Sequence, residues 1–300
     1  MKVLIIGCGY LGTRLANGFA KRGHEVLATR RQWSGDAESL GQGVCPIVFD
    51  LADENSYHRL PTDIDWIVNC ASSSRGGAEA YQRVFAEGSR RLVDWLRDNP
   101  VKKLLFTSST SVYGQTSGEW VDEESTPDPS GPLAPILLKG ESLLLDGVTS
   151  ATTKVAVMRL AGIYGPERGY LFWKYVAGEA TLSDRPERWL NMVHVNDCTA
   201  AILHWFATSD QSGVFNLADD LPVREDAFYR WLDESLGLGM PQPLPNGSAP
   251  KKRKRAFTNK RVSNEKIKKV LGYSFFYPSF RDGYQSEIEN VLADRSGPIA

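Results

Sequence analysis

The chain has 300 residues, of which 42% are hydrophobic and 24% are charged, and its formal net charge at pH 7 is -1. This composition is typical of a globular protein, and the balanced charge excludes a general attraction to nucleic acid or to anionic membranes. No run of about 18 apolar residues occurs, so we expect no membrane partner. The first predicted strand begins at residue 2, which leaves no room for a signal peptide, and we expect a cytoplasmic protein.

The four cysteines are scattered along the chain. Cys8, Cys45, Cys70 and Cys198 show neither C-x-x-C spacing nor the spacing of a metal site. The first three lie in or beside predicted strands. We therefore expect reduced thiols in the core and no bound metal.

The N-terminus is typical of a buried strand that runs into a glycine-rich loop. An apolar run at 3–6 is followed by Gly7, Gly9 and Gly12 in G-x-G-x-x-G spacing, and then by an amphipathic helical pattern. In such a loop the first glycine permits a tight turn, the second lets the backbone approach a pyrophosphate, and the third allows close helix–strand packing. The phosphates then bind the free N–H groups of the helix. The predicted dinucleotide contacts are Gly7, Gly9, Tyr10, Leu11 and Gly12.

Strand and helix patterns alternate through the first half of the chain. After the first strand, strand-like runs occur at 25–29, 45–50, 65–71, 103–108 and 154–160, and helical patterns at 78–97, 136–146 and 196–207. This alternation predicts an α/β fold, a Rossmann-like doubly wound parallel sheet.

Proline and glycine interrupt the later part of the chain, at 165–186 and 237–250. We therefore expect residues 1–160, with roughly 190–215, to form an NAD(P)-binding domain. Residues 161–189 and 216–300 would form a smaller C-terminal lobe that binds the substrate.

The end of the second predicted strand indicates which cofactor is bound. NAD-specific sites usually carry an acidic residue about 20 residues beyond the glycines, where it holds the ribose 2′-hydroxyl. Here the strand ends in Arg30 and Arg31 without an acidic residue, and two guanidinium groups suit a 2′-phosphate. The sequence therefore favours NADP(H), with NAD(H) as the alternative. The arginines would otherwise be ordinary solvated surface residues.

Two further strand ends supply candidate cofactor contacts. Asp50 and Leu51 follow the third predicted strand, where an acidic residue can accept a hydrogen bond from the adenine amino group. The alternative for Asp50 is a turn-forming role in Asp-Leu-Ala-Asp. Ala71 and Ser72, at the end of the fourth predicted strand, complete this set.

The fifth predicted strand ends in Phe-Thr-Ser-Ser-Thr-Ser-Val-Tyr-Gly at 106–114, and further motifs follow at 159–166, 192–197, 214–218 and 260–272. This ordered set resembles the extended short-chain dehydrogenases/reductases, the NAD-dependent epimerase/dehydratase group, over nearly the whole chain. In that family the second segment lies under the nicotinamide, which makes Ile163 a candidate cofactor contact.

The resemblance also implies catalytic residues. In the family a Ser or Thr polarises the substrate oxygen, and a Tyr acts as general acid/base. A Lys four residues later lowers the pKa of that Tyr and holds the nicotinamide ribose. Ser109, four residues before Tyr113, matches the family serine, and Lys139 stands where the lysine belongs. The alternatives are a strand-end cap for Ser109 and a surface position for Lys139.

The family tyrosine is missing. Alignment on Lys139 puts Pro135 at its position, and alignment on Glu141 puts Leu133 there. The resemblance also places Phe85 where the family carries a helix asparagine. The chain thus resembles the atypical branch of the family, which keeps the fold and the glycine loop but lacks the standard tetrad.

Another group would have to move the proton. We take Tyr113 as the candidate, together with Ser109 and Lys139, because its loop should border the nicotinamide. Tyr164 and His194 are alternatives, although loop aromatics usually pack and this histidine position is usually structural. The acidic loop at 119–124 is a further alternative, and it is most often a solvated loop.

The substrate side departs from the family as well. Relatives that act on nucleotide sugars hold the diphosphate with an Arg four residues before the histidine of the H-V segment. Leu190 occupies that position here, with Arg185 and Arg188 nearby. Tyr170, Trp173 and Trp189 are candidates for a pocket wall. A basic run at 251–255 would contact a phosphate-bearing ligand or, more simply, be a solvated connector.

Together these features predict an NAD(P)-dependent oxidoreductase or epimerase-like protein with a non-standard active site. Its substrate would be sugar-like, such as a nucleotide-linked sugar, or a small carbonyl or hydroxyl compound. The alternative is a catalytically silent NADP(H)-binding sensor or scaffold. A homodimer through helices 78–97 and 136–146 is also expected, because the second helix carries more apolar surface than one sheet face needs.

Overall fold

The structure is a computed structural model that describes residues 1–73, 76–129, 131–148, 152–243 and 257–296, without the side chains of Asp36 and Ser296. Its strands are β1 (Lys2–Ile6), β2 (Glu25–Arg30), β3 (Val44–Val48), β4 (Trp66–Asn69), β5 (Lys103–Ser109), β6 (Glu119–Val121), β7 (Lys154–Leu160), β8 (Gly162–Tyr164), β9 (Trp189–Leu190), β10 (Met192–His194), β11 (Gly213–Leu217), β12 (Val223–Arg224) and β13 (Lys260–Val262).

Its helices are α1 (Tyr10–Ala20), α2 (Ala78–Tyr81), α3 (Gly88–Asp98), α4 (Ala134–Gly147), α5 (Tyr170–Val176), α6 (Val195–Thr208), α7 (Glu225–Leu236), α8 (Glu265–Leu271), α9 (Phe280–Gly283) and α10 (Gln285–Ser296). A π-helical turn, Gln82–Glu87, joins α2 to α3, so the predicted helix 78–97 is continuous but not uniformly wound. None of the described helices is long and apolar enough to cross a bilayer.

Within the described residues, seven parallel strands form the central sheet in the order β11-β7-β5-β4-β1-β2-β3. The inner strands are apolar runs that helices cover on both faces, as buried parallel strands require. The predicted Rossmann-like α/β fold is therefore confirmed. The third predicted strand, 45–50, is shifted and ends at Val48, and the fourth, 65–71, is shortened to Trp66–Asn69.

The strand order reverses at β1. The chain runs outward from β1 through β2 to β3, and then crosses to β4 on the other side of β1. In open α/β sheets, ligands bind in the crevice outside the carboxyl ends of the strands at such a point. The loop between β1 and α1, which carries the glycine motif, lies at this crevice.

The sheet edge corrects one expectation about the cysteines. Cys8 and Cys198 are buried, as a core thiol should be, and Cys70 is partly buried, but Cys45 is exposed. Cys45 lies on β3, which pairs with β2 on one side and is the last strand of the sheet on the other. An edge strand is less completely covered than an inner one, and this explains the exposure.

A second hydrophobic core lies beside the sheet. It is built from α5, α7, α9 and α10 together with residues of the short strands β8, β9, β10 and β12, and its large side chains include Tyr164, Phe172, Phe228, Phe280 and Tyr284. The segment that contains β13 and α8 packs instead on the core of the sheet, through Val262, Ile267 and Leu271. The division of the chain into two domains stays a prediction.

Candidate active site

Two of the three glycines of the loop are packed tightly against the protein, and the middle one is not. A Cβ on Gly7, whose φ is +91°, would lie 2.5 Å from the Cα of Ala71, and one on Gly12 would lie 2.3 Å from the carbonyl oxygen of Gly7. A Cβ on Gly9 would meet nothing within 4 Å. The first and third glycines are thus required by the protein itself, whereas the second faces space that a ligand can fill.

The N-terminus of α1 is ready to bind an anion. Gly9 is its N-cap and offers no side-chain acceptor, and the first turn holds no acidic residue. The N–H groups of Tyr10, Leu11 and Gly12 are among those that a helix leaves without an intrahelical partner. They carry the positive end of the helix dipole, and a pyrophosphate would bind there.

Arg30 contacts the glycine loop directly. Its Nε donates to the carbonyl oxygen of Cys8, and its guanidinium lies 5.2 Å from the ring centre of Trp33. Arg30 is half-buried, whereas Arg31 is exposed. The first arginine is thereby positioned beside the loop, and the second is solvent-exposed.

Asp50 has partners within the protein. Its Oδ1 accepts a hydrogen bond of 3.0 Å from the N–H of Ala52, and its Oδ2 pairs with Arg83. The turn-forming role is therefore present, and an adenine amino group would have to share this carboxylate. Leu51 is buried and a Cβ on Gly88 would contact it, whereas Ser72 is exposed next to the partly buried Ala71.

Ser109 lies at the end of β5, half-buried. It caps a 3₁₀ turn, Thr110–Val112, and its Oγ accepts a hydrogen bond of 3.2 Å from the N–H of Ser111. The cap uses the oxygen as acceptor, so the hydroxyl proton remains for a substrate oxygen.

A buried polar network lies directly behind Ser109. Ser108 donates to Oε1 of Glu141, and Arg159 makes a bidentate contact with the same carboxylate, with its Nη2 2.7 Å from Oε2. Nη1 of Arg159 donates to the Tyr113 hydroxyl at 2.8 Å, and this hydroxyl donates to Oδ1 of Asn216 at 2.9 Å. The network ties β5, α4, β7 and β11 together.

This network determines the state of Tyr113. The phenol is completely buried, and both its donor and its acceptor functions have partners inside the protein. Burial raises the pKa of Tyr113 above its usual value, and the opposing effect of the Arg159 charge is not large enough to cancel this rise. A buried phenol that is engaged in two hydrogen bonds and has a raised pKa is a poor proton carrier.

Sequence reasoning proposed Ser109 as a site residue but did not predict the buried network behind it. Ser108, Glu141 and Asn216 are all buried. A signal was present, because Glu141 stands in an apolar helical stripe and Arg159 stands in a buried strand. Two opposite charges in such positions usually pair.

Lys139 does not face this network. Glu141 marks the face of α4 that packs on the end of β5, and Leu137 is buried on the same side. An α-helix turns by about 100° per residue, so Lys139 lies about 200° from both positions, and it is exposed. The structure therefore does not bring Lys139 and Ser109 together, and its placement matches the surface alternative.

The positions aligned with the missing tyrosine carry no titratable group. Pro135 is exposed in the first turn of α4, and Leu133, the N-cap residue, is half-buried. Along the same helix, Leu137 and Leu144 are buried, and Ile136, Leu138, Leu143 and Leu145 are half-buried. The homodimer expected through this helix stays a prediction.

The π-helical turn brings the backbone of Phe85 to α4. A Cβ on Gly140 would lie 2.5 Å from the carbonyl oxygen of Phe85 and 3.4 Å from Oγ of Ser89. The ring of Phe85 is buried and lies 6.2 Å from that of Phe106. Phe85 thus packs in the core where the resemblance places an asparagine.

The two alternative proton donors are both engaged in structure. His194 is the N-cap of α6, and its Nδ1 accepts a hydrogen bond of 3.2 Å from the N–H of Asn196. Burial lowers the pKa of His194 to about 4. The Tyr164 hydroxyl donates to the carbonyl oxygen of Ser279, its ring stacks on Tyr284, and burial raises its pKa.

The loop after β8 is fastened to the glycine loop. The Tyr10 hydroxyl donates to the carbonyl oxygen of Pro166 at 2.8 Å, and the guanidinium of Arg168 lies 4.9 Å from the Tyr10 ring. Ile163 is half-buried in β8 and pairs with Val193 of β10. The segment that resembles the loop under the nicotinamide is therefore in contact with the start of α1.

The substrate-side candidates are dispersed. Arg188 is paired with Glu225, and the exposed Arg185 lies 4.7 Å from the ring centre of Phe257. Leu190 is buried in the second core. Tyr170 is 73% exposed, Trp173 is 36% exposed and Trp189 is half-buried.

One carboxylate of the acidic loop at 119–124 has a backbone partner within the protein. In the acidic loop, the N–H of Asn216 donates to Glu123, and burial raises the pKa of Glu123. The basic run at 251–255 lies outside the described residues. Across the ranges described, no group of three or more His, Cys, Asp or Glu residues is arranged to hold a metal ion.

Comparison with known proteins places the chain in a family. The sequence model described as "NAD dependent epimerase/dehydratase family" matches residues 3–218. The chain belongs to this family. The family's description names NAD, which supports a nicotinamide cofactor for this chain, whereas the preference for NADP(H) stays a prediction.

The chain is also similar to individual proteins. Protein YeeZ of Escherichia coli K12 is 28% identical over 287 residues, which cover 92% of this chain and 96% of that protein. A conserved protein of unknown function from Silicibacter pomeroyi has 26% identity and a TM-score of 0.77, with 98% of each chain covered. The UDP-glucose 4-epimerase of Thermotoga maritima, solved with UDP-glucose, shares the fold at 22% identity and a TM-score of 0.82, with 98% and 100% covered.

Proposed function

We propose that this protein is an NAD(P)-dependent oxidoreductase or epimerase-like enzyme that acts without the family tyrosine. The observation that carries the proposal is the open space in front of Gly9, at the start of α1 and at the reversal of strand order. The flanking Gly7 and Gly12 are filled by the protein's own packing. The residues present thus fit a dinucleotide, which when bound supplies hydride transfer.

The chain's own groups would have separate tasks. The N–H groups at the start of α1 would hold the pyrophosphate, and Arg30 and Arg31 would hold a 2′-phosphate. Ser109 would hydrogen-bond the reacting oxygen of the substrate from the end of β5. The network of Ser108, Glu141 and Arg159 supports this serine by fixing the strand end against α4.

We further propose a sugar-like or small carbonyl or hydroxyl substrate. The shared fold of a UDP-glucose 4-epimerase supports a nucleotide-linked sugar as the first compound to test. The substrate would enter between the sheet and the second core, in line with a lobe formed by residues 161–189 and 216–300. We also expect the enzyme to be a cytoplasmic homodimer through the helices 78–97 and 136–146.

The direct test is a fluorescence titration of the purified protein with NADPH. We expect saturable binding, followed by oxidation of NADPH in the presence of a member of a carbonyl or nucleotide-sugar panel. The variant Ser109→Ala should retain NADPH binding and lose turnover. Absence of NADPH and NADH binding at high micromolar concentration would refute the proposal.

A second function is favoured by one observation. The side chains of Leu133 and Pro135 have no titratable group, and the Tyr113 phenol is completely buried. A catalytically silent sensor or scaffold, which binds NADP(H) as a regulatory ligand, would need none of these groups. Tight NADPH binding without turnover of any panel member would support this second function over the first.

A further inference from the structure

A short hairpin after β8 connects the sheet to the second core. The N–H of Gly165 donates to the carbonyl oxygen of Arg168 at 3.0 Å, and the N–H of Arg168 donates to the carbonyl oxygen of Gly165 at 2.8 Å. Gly169, the N-cap of α5, follows directly, and α5 packs in the second core through Phe172. We call residues 165–169 the strap.

Both ends of the strap fit tightly against other elements. A Cβ on Gly165, whose φ is +137°, would lie 2.9 Å from Cγ1 of Val195 and 3.0 Å from Nε2 of His194. A Cβ on Gly169, which also has a φ of +137°, would overlap the hydroxyl oxygen of Tyr284. The ends are therefore fixed by close packing, and the turn between them must be held by other contacts.

The turn of the strap has an unfavourable backbone. The ring of Pro166 restricts its φ to about −65°, and Glu167 has a φ of +62°. This is the sign pattern of a type II turn, whose second central position favours glycine. Glu167 is the one residue other than glycine that has a positive φ in the part of the chain that the structure describes. Such a conformation persists where the surrounding structure holds it.

Tyr10 holds this turn from the first position of α1. Its hydroxyl donates to the carbonyl oxygen of Pro166 at 2.8 Å, and the guanidinium of Arg168 lies 4.9 Å from the centre of its ring. Burial raises the pKa of Tyr10, so the hydroxyl keeps the proton that it donates. The backbone N–H of the same residue is one of those that would bind a pyrophosphate. One residue thus joins the strap to the place expected for the dinucleotide.

We propose that the Tyr10 hydroxyl is a latch that holds the strap closed, so that a bound dinucleotide and the second core stabilise each other. The inference rests on the proposed function and goes beyond it, because it assigns a conformational coupling to the strap. A phosphate at the start of α1 fixes the backbone of Tyr10, the fixed side chain holds the turn at Pro166, and the turn holds the start of α5. Coupling of this kind is reciprocal, so a closed strap also strengthens binding of the dinucleotide.

A purely structural hydrogen bond is the competing explanation. In that case the bond between Tyr10 and Pro166 would stabilise the fold equally with and without a dinucleotide. Its loss would then leave the affinity for NADPH unchanged.

The experiment is hydrogen–deuterium exchange of the full chain, read at the amides of the strap with and without saturating NADPH, together with NADPH titrations. In the original protein, NADPH should slow this exchange at least about fivefold, because local opening then requires loss of the coupling. This first measurement needs no variant.

Tyr10→Phe removes the latch alone, because it keeps the backbone N–H and the ring that Arg14 and Arg168 contact. It should speed exchange of the strap in the ligand-free protein. It should also weaken NADPH binding about fivefold, as expected for loss of one neutral hydrogen bond.

Two control variants separate the latch from other effects. Tyr175→Phe removes a hydroxyl that donates to Oδ1 of Asp233 within the second core, and it should change neither strap exchange nor NADPH affinity. Gly9→Ala should weaken NADPH binding and leave exchange of the strap in the ligand-free protein unchanged, because the latch stays intact.

A second substitution should partly restore the strap. Asparagine adopts a positive φ more readily than glutamate does. Glu167→Asn should therefore slow exchange of the strap when it is added to Tyr10→Phe.

The inference is overturned if NADPH binds the original protein without slowing exchange of the strap, or if Tyr10→Phe lacks either of its two expected effects. Both results would leave the proposed function standing. Absence of NADPH and NADH binding would instead refute the proposed function, and the coupling with it.

Discussion

The guanidinium of Arg159 forms a bidentate ion pair with the carboxylate of Glu141, although the two side chains are only 6% and 3% exposed. Burial alone would lower the pKa of Arg159, but the hydrogen bonds and the charge of Glu141 raise it. Arg159 therefore stays charged in the interior. Ser108 and Tyr113 satisfy further polar sites of this pair, which is why the charges are tolerated.

Removal of one partner of this pair should be costly. We expect Glu141→Leu to lower the free energy of unfolding by about 3–5 kcal/mol, because Arg159 would remain as an unpaired buried charge. The double variant Glu141→Leu with Arg159→Leu should lose much less than the sum of the single variants. Urea unfolding followed by circular dichroism measures these differences.

The control for that prediction is the ion pair between the half-buried Arg91 and the exposed Glu54, with Oε2 of Glu54 2.8 Å from Nη1 of Arg91. Glu54→Gln should cost less than about 1 kcal/mol, as is usual for surface ion pairs. Equal effects at Glu54 and Glu141 would contradict the importance assigned to the buried pair.

The N-cap histidine of α6 should make stability depend on pH. Burial lowers the pKa of His194 from its ordinary value to about 4, so the unfolded chain binds a proton more readily than the folded one. The associated stability is complete above about pH 6.5 and falls as the pH drops toward 4. The loss between pH 7 and pH 5 should be about 2 kcal/mol.

His194→Asn isolates this contribution, because asparagine keeps an N-cap acceptor and does not titrate. Urea midpoints of the two proteins should diverge between pH 7 and pH 5, with the original protein losing more. Parallel pH profiles would show that His194 is not the titrating group.

The glycine loop offers a matched pair of variants. Gly9→Ala places a Cβ in open space, so the melting temperature should stay nearly the same while NADPH affinity falls at least about tenfold. Gly7→Ala forces a Cβ onto the backbone of Ala71 at a φ of +91°, and should destabilise the fold itself. Thermal melts and NADPH titrations of both variants separate the two effects. Unchanged NADPH affinity in Gly9→Ala would place the cofactor elsewhere.

Cofactor preference tests the arginines that follow β2. We expect NADPH to bind at least about tenfold more tightly than NADH, which requires only about 1.4 kcal/mol from charge-assisted hydrogen bonds. Arg31→Ala should narrow this difference and leave NADH affinity nearly unchanged. Arg30→Ala should narrow it too, with a larger effect on NADH, because Arg30 also contacts the carbonyl oxygen of Cys8. Equal affinities of the original protein for NADPH and NADH would show that neither arginine binds the 2′-phosphate.

Helix propensity and packing make opposite predictions at Gly140. Alanine is favoured over glycine in a helix by about 1 kcal/mol, but its Cβ would press on the carbonyl oxygen of Phe85. We expect Gly140→Ala to destabilise the protein by about 1–3 kcal/mol, the usual range for overpacking. Ser142→Ala, at an exposed position of the same helix, is the control and should not destabilise. If Gly140→Ala were more stable than the original protein, α4 and the π-helical turn that contains Phe85 would be able to move apart at little cost.

The sequence predicted the sheet well because its inner strands are unbroken apolar runs. Lys154–Leu160 coincides with its expected range, and the glycine loop lies where its spacing required. The predicted range of the edge strand β3 was shifted because its apolar run continues past Val48 to Phe49, so no local signal fixes the end of the strand.

The candidate site was less predictable, because its geometry depends on helix phase. Lys139 has the expected spacing from Ser109 along the chain, yet a spacing cannot show which face of α4 meets β5. The contact between Glu141 and Ser108 shows which face of α4 meets β5, but that contact cannot be read from the sequence. Trp120, Trp189 and Arg261 pack together although they come from distant segments, and no local pattern links such positions.

The wide turn at Gln82–Glu87 holds one more residue than an ordinary α-helical turn would. Deletion of a single residue there would restore even winding and leave Gly88–Asp98 in the same orientation relative to Ala78–Tyr81, because the wide turn absorbs the extra residue that would otherwise rotate the later segment by about 100°. Relatives whose helix winds evenly should therefore align with this chain through a one-residue gap inside that segment. Without that gap, an alignment pairs the wrong residues on one side of the turn, including the position that Phe85 is compared with.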